Sequence, residues 1–226
     1  MNPDVIAYYD RVASRYDRDR FENSYGRFID TQERRVLDHF LPQCLAAVLD
    51  IGCGTGRLTD RAAFGCDASL PSLLLAAKRR AASFVAADAA RLPFPSGALD
   101  GAFAFHVFMH LARSEIDLIF AEVARVLKPG GIFIADVASA LRRRFRQRTN
   151  GGWHGRTALS AADLRTCGAA VGLRLDATRG VLMLPIHWLP HVARQPLATI
   201  DLAAAAAFPE LSSYLVARFV KEPAHA

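Results

Sequence analysis

The chain has 226 residues, 52% of them hydrophobic, with 28 Lys and Arg against 22 Asp and Glu, a formal net charge of +6. This length and apolar content predict one α/β domain with a sizeable core and exclude a miniature held together by disulfides. The basic balance admits nucleic acid, an anionic membrane surface or acidic metabolites as partners and says nothing about fold. Cys44, Cys53, Cys66 and Cys167 are scattered with no CxxC pair, which reads as reduced thiols in a cytoplasmic protein. The opening residues "MNPDVIAYYDRVASRYDRDRF" hold no apolar signal-peptide core, and no segment reaches the ~18–20 apolar residues of a membrane span.

Residues 3–18 and 27–41 read as amphipathic helices, so that 1–41 forms an N-terminal helical cap. "AVLDI" (47–51) is a short apolar run ended by glycine, which predicts a buried strand. "FGCD" (64–67) is the end of a second strand, Ser69–Ala82 a helix, "SFVAAD" (83–88) a third strand, and "LPFPSGAL" (92–99) a turn-rich loop. "LDGAFAF" (99–105) is a fourth strand. Ser114 with Asp117 predicts a capping box opening a helix that runs to Leu127 and stops at "KPGG". "GIFIADV" (131–137) is a fifth strand. Residues 138–158, rich in arginine and glycine and weakly periodic, read as a loop or lid. Ser160 with Asp163 predicts a second capping box and a helix to about Val171. "LRLDAT" (173–178), "LATIDLAAAAAF" (197–208) and "SSYLVARFV" (212–220) follow as strand, helix and final strand. Strands alternating with helices predict a mainly parallel sheet with helices on both faces. The whole of 1–226 is expected to be one domain, with 47–137 as its ligand-binding core and 138–226 as the lid and substrate-side portion.

Gly52, Gly54 and Gly56 spell G-x-G-x-G directly after the first strand. A dinucleotide fingerprint requires glycine at position 57, where this chain has Arg57. Asp50, two residues before the first glycine, would repel a pyrophosphate and suits a cationic amino group. Both observations disfavour an NAD(P)-dependent oxidoreductase. The second acid, Asp67, comes so soon after Gly56 that the intervening helix has room for less than two turns. The first crossover helix should therefore be vestigial, with the N-terminal helices free to fill the gap.

"VLDIGCGTGRL" resembles motif I of the class I S-adenosylmethionine (SAM)-dependent methyltransferases, in particular the group of ubiquinone/menaquinone-type and natural-product small-molecule enzymes. "DASLPSLLLAA", "AADAARLPFPSGALDGAFAFHVFMHL" and "EVARVLKPGGIFIADV" resemble the later blocks of that family, in order and in register, so the likeness runs from about Asp4 to Val137. It implies a Rossmann-like α/β fold, with a seven-stranded, mostly parallel sheet whose last strand is antiparallel, that binds SAM and releases S-adenosylhomocysteine. It also implies a role for each matching residue. Gly52, Cys53, Gly54 and Gly56 approach the methionine and ribose, Asp50 orders the loop or meets the ammonium, and Asp67 with Ala68 accepts from the ribose hydroxyls. Asp88 with Ala89 meets the adenine, Phe105 and His106 lie beside the transferred methyl, and Tyr8 and Tyr16 close over the cofactor.

Such an enzyme would move a methyl group to an oxygen, nitrogen or carbon of a small molecule. The cofactor carries the reactive group, the protein orients and dries it, and a base is optional. His106 is the first candidate base, with His110 and His154 as further candidates on the catalytic side and His187 as a further lining residue. His106-x-x-x-His110 lacks a carboxylate at ligand spacing, so no metal is expected. "LRRRFRQR" (141–148) is read first as a solvated face of a lid or short helix, and second as a contact for an anionic partner: RNA phosphates, a phosphorylated or nucleotide-linked metabolite, or a membrane surface. Two alternatives stand beside the small-molecule enzyme: an RNA-directed methyltransferase using Arg142–Arg148, and a non-catalytic SAM-binding partner or scaffold. Oligomeric state is not legible.

Overall fold

In the computed structural model, which describes residues 3–146, 157–185 and 191–223, the apolar runs form β1 (Val48–Ile51), β2 (Phe64–Asp67), β3 (Ser83–Ala86), β4 (Leu99–Ala104), β5 (Leu127–Ala138), β6 (Leu173–Val181) and β7 (Tyr214–Lys221). They make one sheet in the order β3-β2-β1-β4-β5-β7-β6. The pairings among β1 to β5 are parallel, and β7 runs antiparallel to both β5 and β6. This is the Rossmann-like class I architecture expected above.

Alternation along the strands sends successive side chains to opposite faces. Leu49 and Ile51 join Phe108, Phe120, Phe133 and Phe219 on one face, beneath α4 (Arg113–Val126) and α6 (Ala161–Ala169). Val48 joins Phe28, Leu37, Phe103 and Ile134 on the other, beneath α2 (Ser24–Phe40) and α7 (His191–Ala207). Asp50, one residue from both Leu49 and Ile51, therefore points to the α2 side. A buried carboxylate at a strand end is the first sign of where ligand chemistry sits.

The crossover from β1 to β2 is the remnant that the spacing predicted: a single 3-10 turn, Thr59–Arg61. α2 covers it. Arg34 reaches Asp60 at 2.9 Å and the Arg57 carbonyl at 2.5 Å, and Arg61 reaches Asp38 at 2.5 Å. α1 (Pro3–Arg20) then lies against α3 (Leu70–Arg79), with Arg79 of α3 donating to Asp17 of α1.

Three local expectations need correction. α4 starts one residue earlier than Ser114, and its first turn is closed by Glu115, which accepts from the Ala112 N–H at 2.8 Å. Asp117 instead pairs with Arg113 one turn back at 3.1 Å, because that is the nearest cation on its helix face. "KPGG" does not separate helix from strand: β5 pairs from Leu127 onward, and the extra residues are absorbed as an irregularity between Leu99 and Gly101. The segment expected to be loop from 138 begins with a helix, α5 (Ala140–Arg146). The second capping box forms as expected, with Ser160 and Asp163 bonding each other's backbone N–H at 3.1 and 2.9 Å.

Candidate active site

β1 has β2 and β3 on one side and β4 on the other, so the chain leaves β1 and β4 in opposite directions. An open parallel sheet parts at such a reversal, beyond the carboxyl ends of its strands. A cleft with about 1040 Å³ of empty space out to its mouth lies there.

α1 roofs the cleft through Val5, Tyr9, Ala13, Tyr16 and Asp17. These positions recur at helical spacing and define one stripe. Tyr16 is in the wall. Tyr8 is not: one residue turns a helix by about 100°, and Tyr9 takes the place assigned to Tyr8. The Tyr8 ring instead packs edge-on to Tyr9 and sits under Arg11. The stripe Val5, Tyr9, Ala13, Tyr16 was the signal that separates the two tyrosines. The roof is fastened at both ends. Tyr9 shares a 2.9 Å hydrogen bond with His110 Nε2, and Asp17 accepts from the Thr55 hydroxyl at 2.7 Å.

The floor is the glycine loop. Gly52 and Cys53 donate to the Cys66 carbonyl, and Gly54 donates to Asp67 Oδ2 at 2.8 Å. Gly54 has φ +54°, and a Cβ there would meet no protein atom within 4 Å, so its missing side chain is open space. At Gly52, with φ +67°, a Cβ would lie 2.4 Å from a Val107 methyl, so that glycine permits close packing instead. Asp67 also accepts from the Ser69 N–H at 2.8 Å. Burial raises its carboxyl pKa, and the Ser69, Gly54 and Ala68 amides oppose that rise. Asp50 accepts from the Thr59 hydroxyl at 2.7 Å, and burial pushes its carboxyl up to about 7 against Thr59 and Arg57.

Gly52, Cys53, Gly54, Asp67, Ala68, Ala89, Phe105 and His106 all line the cleft. Gly56 and Asp88 do not. Gly56 turns the loop under α3, within 3.1 Å of the Ala76 methyl for a Cβ placed there. Asp88 accepts from the Ala90 N–H at 2.9 Å in a local turn, and Ala87 and Ala89 form the wall on either side of it. Burial works against the Asp88 charge, but the Ala90 amide helps to hold its carboxyl below the usual range.

The histidines separate. His106 has φ +61°, a left-handed conformation that costs a non-glycine residue about 1–3 kcal/mol. It is held there by its N–H bond to Asp136 Oδ1, 2.6 Å. Its Nε2 meets Glu33 Oε1 at 2.6 Å and its Nδ1 lies 3.4 Å from Asp136 Oδ2. Burial alone would lower its pKa, but Glu33 and Asp136 outweigh burial and raise it. Asp136 is itself pushed up to about 6 by burial, opposed by His106. Both ring nitrogens face carboxylates, Nε2 toward Glu33 and Nδ1 toward Asp136, so His106 is not placed as an uncommitted base. His110 lines the cleft through the contact with Tyr9. His154 and His187 lie outside the described residues. Glu33 and Asp136 were missed by sequence reasoning. For Glu33 a signal existed: a charged residue inside the buried stripe Phe28, Val36, Leu37, Phe40.

Of the arginine run, Arg142 is turned inward. Its guanidinium donates to the Met183 carbonyl at 2.7 Å and the Leu211 carbonyl at 2.5 Å, tying α5 to the end of β6 and the approach to β7. Arg148 lies outside the described residues. Arg142→Ala should cost about 3–6 kcal/mol, since it removes two hydrogen bonds to a charged group at about 1.5–3 kcal/mol each. That lowers the melting temperature by roughly 6–24 °C. Heparin retention should stay unchanged. A parallel loss of salt-sensitive heparin binding would instead give this residue an anion-binding role.

The family model described as Methyltransferase domain matches residues 49–135. A malonyl-[acyl-carrier protein] O-methyltransferase from Marinomonas sp. is 32% identical over 157 residues, covering 62% of this chain and 56% of that protein. A demethylmenaquinone methyltransferase from Thermus thermophilus is 33% identical over 139 residues, covering 54% of this chain and 60% of that protein. The chain thus spans little more than half the length of these curated relatives. A crystal structure of a SAM-dependent methyltransferase from Thermotoga maritima, described as a possible histamine N-methyltransferase, superposes with a TM-score of 0.71 over 95% of this chain and 98% of that one. At 18% identity that likeness speaks for the fold.

Proposed function

We propose, from the premise that this chain carries a class I SAM-dependent methyltransferase domain, that it transfers a methyl group from SAM to an oxygen, nitrogen or carbon of a small-molecule acceptor. The observation that carries the reading is the pairing of Gly54 with Asp67. The loop glycine leaves open space above it, and the strand-end carboxylate both pins the loop and keeps acceptor capacity toward the cleft. A carboxylate has about four lone-pair sites, and Gly54 and Ser69 use two of them. The remainder suits the two ribose hydroxyls. Ala87, Ala89 and Leu111 supply apolar wall.

SAM, when bound, supplies an electrophilic methyl for in-line displacement. The chain's own contribution is orientation and exclusion of water, which together are worth up to about 7–11 kcal/mol. α1 closes the cleft from above, and Tyr16 and Phe21 complete an aromatic wall. With its Nε2 committed to Glu33 and its Nδ1 turned to Asp136, we assign His106 no base function. The reading favours acceptors that reach the site already deprotonated or whose proton leaves to water. Turnover of labelled SAM against a metabolite extract tests it, and total RNA is the control. Methylation of RNA alone would replace the small-molecule reading.

Asp50 makes cofactor binding proton-linked. A cationic ammonium beside it favours the carboxylate, so binding lowers its pKa from about 7. Binding below that pH must release a proton, and affinity should rise with pH and level off above 7. Calorimetry at pH 6 in two buffers of different ionisation enthalpy should give different heats, and Asp50→Asn should abolish the difference. Equal heats for the unaltered protein would remove Asp50 from the ammonium site.

A further inference from the structure

Glu33 interrupts an apolar helix face. It is 1% exposed, with Phe28, Val36, Leu37 and Phe40 buried around it on α2. Burial pushes its carboxyl up, but His106 and then Arg57 pull it down to about 2, so it is charged at any working pH. Its two oxygens are divided. Oε2 accepts from Arg57 Nη2 at 2.5 Å and Oε1 meets His106 Nε2 at 2.6 Å.

The two partners belong to different sides of the cleft. Arg57 directly follows the last loop glycine. Its other nitrogen goes to Asp30 at 2.6 Å, its guanidinium lies 4.1 Å over the Phe21 ring, and its carbonyl is held by Arg34 and Arg80. His106 follows β4, with Asp136 of β5 behind it and the Tyr214 ring of β7 edge-on at 5.1 Å. Arg57 and His106 line the cleft; Glu33, Asp30 and Asp136 stand behind them.

We propose that Glu33 is a positioning residue that couples the cofactor loop to the acceptor side of the cleft, one carboxylate fixing Arg57 and His106 together. This rests on the reading of the cleft as the cofactor and acceptor site. Glue alone is a poor account, because buried ion pairs rarely stabilise more than apolar side chains of similar volume. What the pair adds is fixed geometry at two lining residues far apart in sequence. Loss of the carboxylate loosens both at once.

The test is Glu33→Gln in the full chain, with Asp30→Asn as a milder companion that releases one side of Arg57 only. S-adenosylhomocysteine affinity is measured by calorimetry, the His106 ring titration by NMR, and folding by circular dichroism. In folded Glu33→Gln the affinity should fall about tenfold, the scale of one charged hydrogen bond. The His106 midpoint should fall, because Glu33 is one of the groups that raise it. Asp30→Asn should weaken affinity less and in the same direction. Unchanged affinity in folded Glu33→Gln overturns the coupling even if the His106 midpoint moves, since that leaves only a local ion pair. If Glu33→Gln does not fold, unchanged affinity in Asp30→Asn overturns it. Failure of the unaltered protein to bind S-adenosylhomocysteine overturns the functional reading, and this proposal with it.

Discussion

Asp67→Ala is expected to lose cofactor affinity by at least about 100-fold, equivalent to ~2.7 kcal/mol or more. Two effects combine. The substitution removes the proposed ribose acceptor. It also strands the Gly54 and Ser69 N–H groups, each 2.8 Å from a carboxylate oxygen, at a cost of about 1–3 kcal/mol apiece if no water replaces them. Ser69 caps α3, accepting from the Ser72 N–H at 3.3 Å, so the loop and the start of α3 loosen together. Asp67→Asn keeps one acceptor and turns an NH2 toward a backbone donor, and should fall between the two. Calorimetry with S-adenosylhomocysteine, alongside a thermal melt, separates loss of ligand contact from loss of fold. A folded Asp67→Ala protein that binds within about threefold of the unaltered chain would place the ribose contact elsewhere.

Phe133→Ala should be the most damaging single truncation in the core. Phe133 is fully buried in β5 and packs against Phe108, Phe120 and Phe219 with ring centroids 6.3, 5.4 and 5.9 Å away. Removing the ring costs about 3–5 kcal/mol, because neighbours fixed on α4 and β7 cannot collapse into the space. Total stability of a domain is only about 5–15 kcal/mol. Calorimetric melting should shift down by roughly 6–20 °C. Leu118→Ala, at a position 58% exposed on α4, is the control and should change stability by no more than about 0.5 kcal/mol. A comparable shift in both would mean that the aromatic cluster is not the keystone of that face.

The strands, their number and the crossover remnant were legible because each depends on neighbours in sequence. Val48 to Ile51 is apolar without interruption, and Thr59–Arg61 has no room to be more than a turn. The expected capping box at Ser114 failed for a related reason: Ser114 and Glu115 offer competing local bonds, and helix entry at Ala112 decided between them. A short helix at Ala140–Arg146 was one of two options the arginine run offered, but the inward turn of Arg142 was not legible, since it is satisfied by carbonyls of Met183 and Leu211, residues that no local pattern connects to it.

By itself the sequence determined the layered α/β fold, the glycine loop and the acids at successive strand ends, all of which follow from short-range periodicity and spacing. Only the tertiary structure decided that Tyr9 rather than Tyr8 faces the cleft, and that Glu33 joins Arg57 to His106. It alone showed that both ring nitrogens of His106 face carboxylates, Glu33 and Asp136, which raise its pKa against the lowering effect of burial. The phase of a helix against a sheet and the charge of a buried ring both depend on what other segments bring within a few ångströms, and distance along the chain carries no record of that.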